Sequence, residues 1–118
     1  MARALLLLPA GLLVLGGAMH LAAFNKAGAA VAGSNLPPFF GNALKALWVM
    51  DSCGMFAIAA VCVTLILRPE SASPLIVGLV SLIPLSTALL LYGFLGNFFA
   101  AHMLLAASIS MLAAAAVR

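Results

Sequence analysis

The stretch NALKALWVMDSCGMFAIAAVCVTLIL, Asn42 to Leu67, decides the fold. It is apolar around its whole circumference, is closed by Arg68-Pro69-Glu70, and as a helix can cross a hydrocarbon layer about 30 Å thick. Three further runs have the same character: Ala4 to Phe24, Leu75 to Leu95 and Asn97 to Val117, each bounded by charge, proline, glycine or asparagine. Of the 118 residues 67% are hydrophobic and 6% charged, whereas a water-facing surface needs about a quarter charged. That excludes a soluble nucleotide-binding or nucleic-acid-binding domain. A β-barrel would need alternation of period two over segments of about ten residues, and these runs do not alternate. The expected architecture is an all-α integral membrane protein, a four-transmembrane-helix up-down-up-down bundle filling residues 1–118 as a single transmembrane domain.

The net charge of +3 rests on five scattered cations, Arg3, Lys26, Lys45, Arg68 and Arg118, rather than on a phosphate-binding patch. An even number of spans gathers Arg3, Arg68 and Arg118 on one side, against Lys26 and Lys45 on the other. The positive-inside rule then favours both termini in the cytoplasm, a plasma (inner) membrane location and an external loop from Asn25 to Gly41. A cleavable signal peptide competes for the first run, since Met1-Ala2-Arg3 is a short basic start and Gly16-Gly17-Ala18 resembles a cleavage site. A cut there would leave an odd number of helices and discard glycines suited to close packing, so the run is read as a retained span. Cys53 and Cys62 fall on opposite faces of one helix, about 13 Å apart along its axis, and cannot bridge within one chain. Without a CxxC pair, thiol–disulfide chemistry lacks its reagent.

Depth along the spans is the informative coordinate. His20, Asp51, Tyr92 and His102, one from each span, all fall in the half of the bilayer away from the termini, as do Asn25, Asn42, Lys45, Ser52 and Asn97. The other half holds only hydroxyls, Thr64, Ser81, Ser108 and Ser110, which can bond back to their own helix carbonyls. Asp51 is the strongest signal, the one acid within a span. A carboxylate near the bilayer centre costs about 2.5 to 3.5 kcal/mol on insertion scales, so it must be paired, hydrated or protonated inside the bundle. Leu47, Trp48, Gly54, Met55 and Ile58 share its face, and its partner must come from another helix: His20, His102 or the Tyr92 hydroxyl. Convergence of these four on one cavity is expected, with Trp48, Ser52, Asn97, Phe98 and Phe99 as substrate-binding neighbours. The plainer reading makes Asp51 a hydrogen-bonding lock between helices.

Two histidines on different helices at similar depth would also suit a haem iron or a metal held from both sides, His20 and His102 being the ligands, although no HxxxH pair or further ligand set accompanies them. Pro84 should kink the third span, with Ser86 and Thr87 at hand for freed backbone groups. Leu36-Pro37-Pro38-Phe39-Phe40 reads as an interfacial anchor.

These features lead to a membrane-embedded enzyme that works on a lipophilic small molecule by acid-base chemistry (isomerisation, cyclisation or epoxide opening), with Asp51, His20, His102 and Tyr92 as catalytic residues. The alternatives are a non-catalytic accessory subunit of a larger membrane complex and a proton-coupled small transporter, against which the scarcity of polar groups in the half near the termini counts. The expected partners are the lipid bilayer, a lipophilic small molecule, and a second copy or a larger membrane complex.

Overall fold

The computed structural model describes residues 1–117. Four helices are long and apolar enough to span a membrane. Helix α1 runs Ala2–Ala22 and, after an interruption at Ala23, passes directly into α2, Phe24–Ala32. Helix α3 is Pro38–Leu67, α4 Pro74–Leu95 and α5 Phe99–Ala116. The chain is an all-α, four-helix membrane bundle.

Two boundaries differ from the sequence reading. The expected loop from Asn25 to Gly41 is mostly helical: Asn25 and Lys26 are polar but no obstacle to a helix, and the alanines that follow favour one. The true break is short, with the Ser34 hydroxyl donating to the Val31 carbonyl at 2.6 Å before the chain leaves the helix. Pro38 then starts α3 at its first position, where its missing N–H would have had no helical partner anyway, so the second span begins before Asn42. At the other connection Gly96, with φ +69, ends α4 in a conformation that side chains disfavour, leaving Asn97 in the turn and starting α5 at Phe99.

The helices pack as a bent row, α3 against α1, α1 against α5 and α5 against α4. The order departs from the expectation that every short link joins packed neighbours. Helices α3 and α4 are joined by the tight Pro69–Ser71 turn yet make almost no direct contact. The turn ties only their adjoining ends, whereas α1 offers α3 a glycine face along which backbones can approach. A Cβ on Gly17 would meet the Phe56 ring at 3.0 Å, and one on Gly16 would meet the Met55 sulfur at 3.4 Å. Buried residues recur at helical spacing: Leu6, Ala10, Leu13 and Gly17 on α1, and Ala101, Leu104, Ser108 and Met111 on α5, the middle of the row.

Two prolines sit inside spanning helices, and α5 sends a hydroxyl to the backbone near each. Pro9, buried in α1, deprives the Leu5 carbonyl of its helical donor, and the Ser110 hydroxyl of α5 donates to that carbonyl at 2.6 Å. Pro84, buried in α4, deprives the Val80 carbonyl of its helical donor, and the Ser108 hydroxyl donates to the adjoining Ser81 carbonyl at 2.9 Å. Of the four hydroxyls expected to bond within their own helices, Thr64 and Ser81 do so, to Ala60 and Gly78. Ser108 and Ser110 instead cross to a neighbour, and for Ser110 the reason is the Leu5 carbonyl that Pro9 leaves without a donor. Ser86 and Thr87 both donate to the Ile83 carbonyl.

This arrangement predicts a coupling. Ser110→Ala should cost about 0.5 to 2 kcal/mol in reversible unfolding, the range of buried hydrogen bonds between membrane helices. In a Pro9→Ala background, where Leu5 regains its own helical donor, the same change should cost clearly less. Equal costs in the two backgrounds would show that the Ser110 bond does not serve the proline.

Candidate functional site in the cleft between α3 and α4

Asp51 and Trp48 lie three residues apart on α3, on the face turned toward α1 and the open side of the row. Antiparallel α1 brings His20 alongside them. The Trp48 indole Nε1 donates to the His20 backbone carbonyl at 2.7 Å, and its ring stacks on the His20 imidazole with centroids 4.2 Å apart and planes 11° from parallel. The imidazole is thereby held flat against the indole, with Nε2 at 3.5 Å from Asp51 Oδ2. That is ion-pair distance without hydrogen-bond alignment, and Nε2 is buried with no hydrogen-bond partner among the described residues. The Asp51 side chain is 40% exposed, so the carboxylate can be reached from outside the bundle.

What it can be reached from is a cleft of about 390 Å³ between α3 and α4. Leu47, Gly54, Met55 and Ile58 line it beside Asp51, Ile83, Pro84 and Thr87 face them from α4, and Leu13 and Leu104 form the floor. A Cβ on Gly54 would meet nothing within 4 Å. A second cavity of about 300 Å³ lies behind this one, between α1, α3 and α5, with His20, Trp48, Phe98 and Phe99 among its walls. Leu13, Met55 and Leu104 belong to both and form the partition. His20 therefore faces the rear cavity while its Nε2 approaches the carboxylate of the front one.

Tyr92 and His102 stand apart from this group. The Tyr92 hydroxyl lies 2.6 Å from His102 Nδ1, and His102 Nε2 lies 2.6 Å from Asn97 Oδ1. Because an amide oxygen only accepts, Nε2 carries the proton in the neutral ring and Nδ1 accepts from the tyrosine. Both ring nitrogens are thus engaged, in a clasp across the α4–α5 turn. Neither residue lines either cavity, so the expected convergence of His20, Asp51, Tyr92 and His102 on one cavity does not occur; azimuth around each helix, which depth does not reveal, separates them. Haem or metal ligation by His20 and His102 together lacks the shared cavity it requires, and among the described residues no three His, Cys, Asp or Glu side chains gather as a metal site would need.

The remaining sequence candidates divide in the same way. Trp48, Phe98 and Phe99 line the rear cavity, and Asn97 completes the Tyr92–His102 clasp. Ser52 is buried, lines neither cavity, and its hydroxyl has no hydrogen-bond partner among the described residues. Thr87 escaped notice as a lining residue, since a hydroxyl that bonds back to its own helix has no distinguishing pattern in sequence. Searches against protein-family models, curated proteins and solved structures gave no match to this chain.

The two glycine environments give a paired test. Gly54→Leu should insert and fold like the parent while filling the cleft, because its side chain enters open space. Gly17→Leu drives atoms into the Phe56 ring and should cost about 1 to 3 kcal/mol. Thermal unfolding of both in detergent checks the pair, and a destabilised Gly54→Leu beside a neutral Gly17→Leu would contradict the packing.

Proposed function

We propose that this chain is a membrane-embedded acid-base enzyme whose lipophilic substrate enters sideways from the bilayer between α3 and α4. The observation that carries this reading is Asp51: the one acid within a span lines an accessible apolar cleft, and an imidazole held by Trp48 stands 3.5 Å from its carboxylate. A structural lock would hide such a group among hydrogen-bond donors; here it faces a space large enough for part of a lipid-like molecule.

The chemistry that fits is a proton shift within one molecule. The Asp51 carboxylate accepts a proton from one position of the substrate and returns it at another, so the enzyme ends as it began. Isomerisation of a double bond closes on itself in this way. Cyclisation does so when a deprotonated hydroxyl attacks a polarised double bond in its own chain: a C–O bond forms, the π bond breaks, and the carbon that receives its electron pair takes the proton. An epoxide opens to an allylic alcohol when the proton leaves the adjoining carbon and is given to the oxygen freed by C–O cleavage. His20 stabilises the ionised carboxylate before the first transfer and after the second, and the stacked indole fixes the imidazole so that this help costs no reorientation. Tyr92 and His102, read from sequence as catalytic, have in this account a structural part in the α4–α5 turn.

A second reading, an accessory subunit, is favoured by the unclosed side of the row, where Leu47, Met50 and Ile83 are exposed and would suit a helix of a larger complex or of a second copy. Asp51→Asn separates the two. It keeps size and most hydrogen bonding but cannot exchange a proton near neutral pH. In chromatographic profiles of lipid extracts from producing cells, the parent should generate a product isomer that the normally folded variant makes about 10² to 10⁴ times more slowly. Identical profiles from parent and variant would overturn the enzymatic reading and leave the accessory subunit.

For sidedness, we place both termini and the Arg68 turn in the cytoplasm of an inner-membrane protein, on the cation bias. In a background free of Cys53 and Cys62, a membrane-impermeant maleimide applied from outside should label Ser34→Cys and spare Ser71→Cys. The reverse pattern would invert the topology.

A further inference from the structure

The cleft has a chemical bias that acid-base catalysis alone does not require. Only Asp51 and Thr87 bring side-chain oxygen or nitrogen to its lining. The Thr87 hydroxyl proton is already committed, since Oγ1 donates to the Ile83 carbonyl at 3.0 Å, so the face it can offer is a lone pair. Ionised Asp51 is acceptor-only: Oδ2 lies nearest His20, and among the described residues Oδ1 has no partner. Pro84, on the α4 wall with Thr87, has no backbone N–H to offer. Among the described residues no lysine, arginine or histidine lines the cleft. Its polar rim is therefore built from acceptors, set in walls that are otherwise aliphatic.

We infer that the cleft selects a lipophile ending in a hydrogen-bond donor, a long-chain alcohol or, more tightly, a long-chain amine in its ammonium form, and rejects chains ending in a carboxylate. An acidic head group would meet a like charge and lone pairs with no donor to compensate, whereas a donor head group reaches the free oxygen of Asp51 while its chain replaces lipid against Leu47, Met50 and Ile83. This head-group assignment rests on the cleft being the substrate site, as proposed above, but it concerns binding and is tested without turnover.

Trp48 is the single tryptophan of the chain and sits one turn from Asp51, which makes it a built-in fluorescence donor. Three dodecyl probes carry dansyl at one end and an amine, a hydroxyl or a carboxylic acid at the other. They are titrated into the protein in phosphatidylcholine vesicles. Energy transfer should saturate for the amine and the alcohol and rise only linearly, as bilayer partitioning does, for the acid. Asp51→Asn exchanges an acceptor charge for a neutral group that also donates, so amine binding should weaken at least about tenfold, the loss of one charge-assisted hydrogen bond, while the acid gains. Gly54→Leu should remove saturable transfer for every probe. An acid that saturates as well as the amine, an unchanged amine affinity in Asp51→Asn, or no saturable probe at all would overturn the inference. Selective amine binding without any lipid conversion would overturn the enzymatic reading and leave this one standing. Conversion of a lipid that lacks a donor would do the opposite.

Discussion

In hydrocarbon a backbone carbonyl without a donor has no water to turn to, and the cost is several kcal/mol. This chain accepts that liability twice, at Pro9 and Pro84, and places both prolines on buried faces. Ser110 of α5 supplies the Leu5 carbonyl freed by Pro9, and Ser108 of the same helix bonds the Ser81 carbonyl, next to the one that Pro84 frees. α5 is the shortest of the four spans, yet it sits between α1 and α4 and bonds a backbone carbonyl of each through a serine hydroxyl. Much of the rest follows from that. With α1 and α4 both committed to α5, and α3 committed to the glycine face of α1, α3 and α4 have nothing that draws them together, and the cleft is what remains between them.

The position of Asp51 makes sense in the same terms. A carboxylate on a fully enclosed bundle face would need a complete set of donors, which the surrounding Leu, Met, Ile and Gly side chains do not offer. At the edge of an unclosed row it keeps one oxygen toward the cleft and one toward His20. The imidazole in turn is fixed from behind by Trp48, which spends its only donor on the His20 carbonyl rather than on the ring. The pair is thus oriented by an indole that does not line the cleft.

The spans were legible from sequence because lipid asks nothing of a helix face except that it be apolar, so long apolar runs suffice to find them. Depth was legible too, since rise per residue is fixed: it put Asp51, His20, Tyr92 and His102 in one half of the bundle. Azimuth was not. Whether Tyr92 turns toward Asp51 or toward its own hairpin depends on which helices pack, and here it turns to His102 and Asn97 across the turn. The packing order itself was hidden, because the link Pro69–Ser71 says how close two ends are and nothing about the faces above them. Pro9 went unnoticed inside an apolar run, and with it the reason for a serine as distant in sequence as Ser110. The helical stretch Phe24–Ala32 was masked by Asn25 and Lys26, whose polarity marks a departure from lipid and not from helix.

The unequal lengths of the helices bear on how lipid meets the cleft. Helix α3, with 30 residues, is about 45 Å long and α4, with 22, about 33 Å, against a hydrocarbon layer of about 30 Å. α2 packs beside the start of α3, where Val31 crowds Gly41, and the two stand together as a ridge above the shorter hairpin. The two walls of the cleft therefore present different hydrophobic heights to the bilayer, and lipids at its mouth have to span a step. Adjusting to such a step costs fractions of a kcal/mol per ångström, through tilt or local thinning. Chain packing is loosened where the step falls, so a lipid-soluble molecule would find the membrane least ordered at the entrance that leads to Asp51.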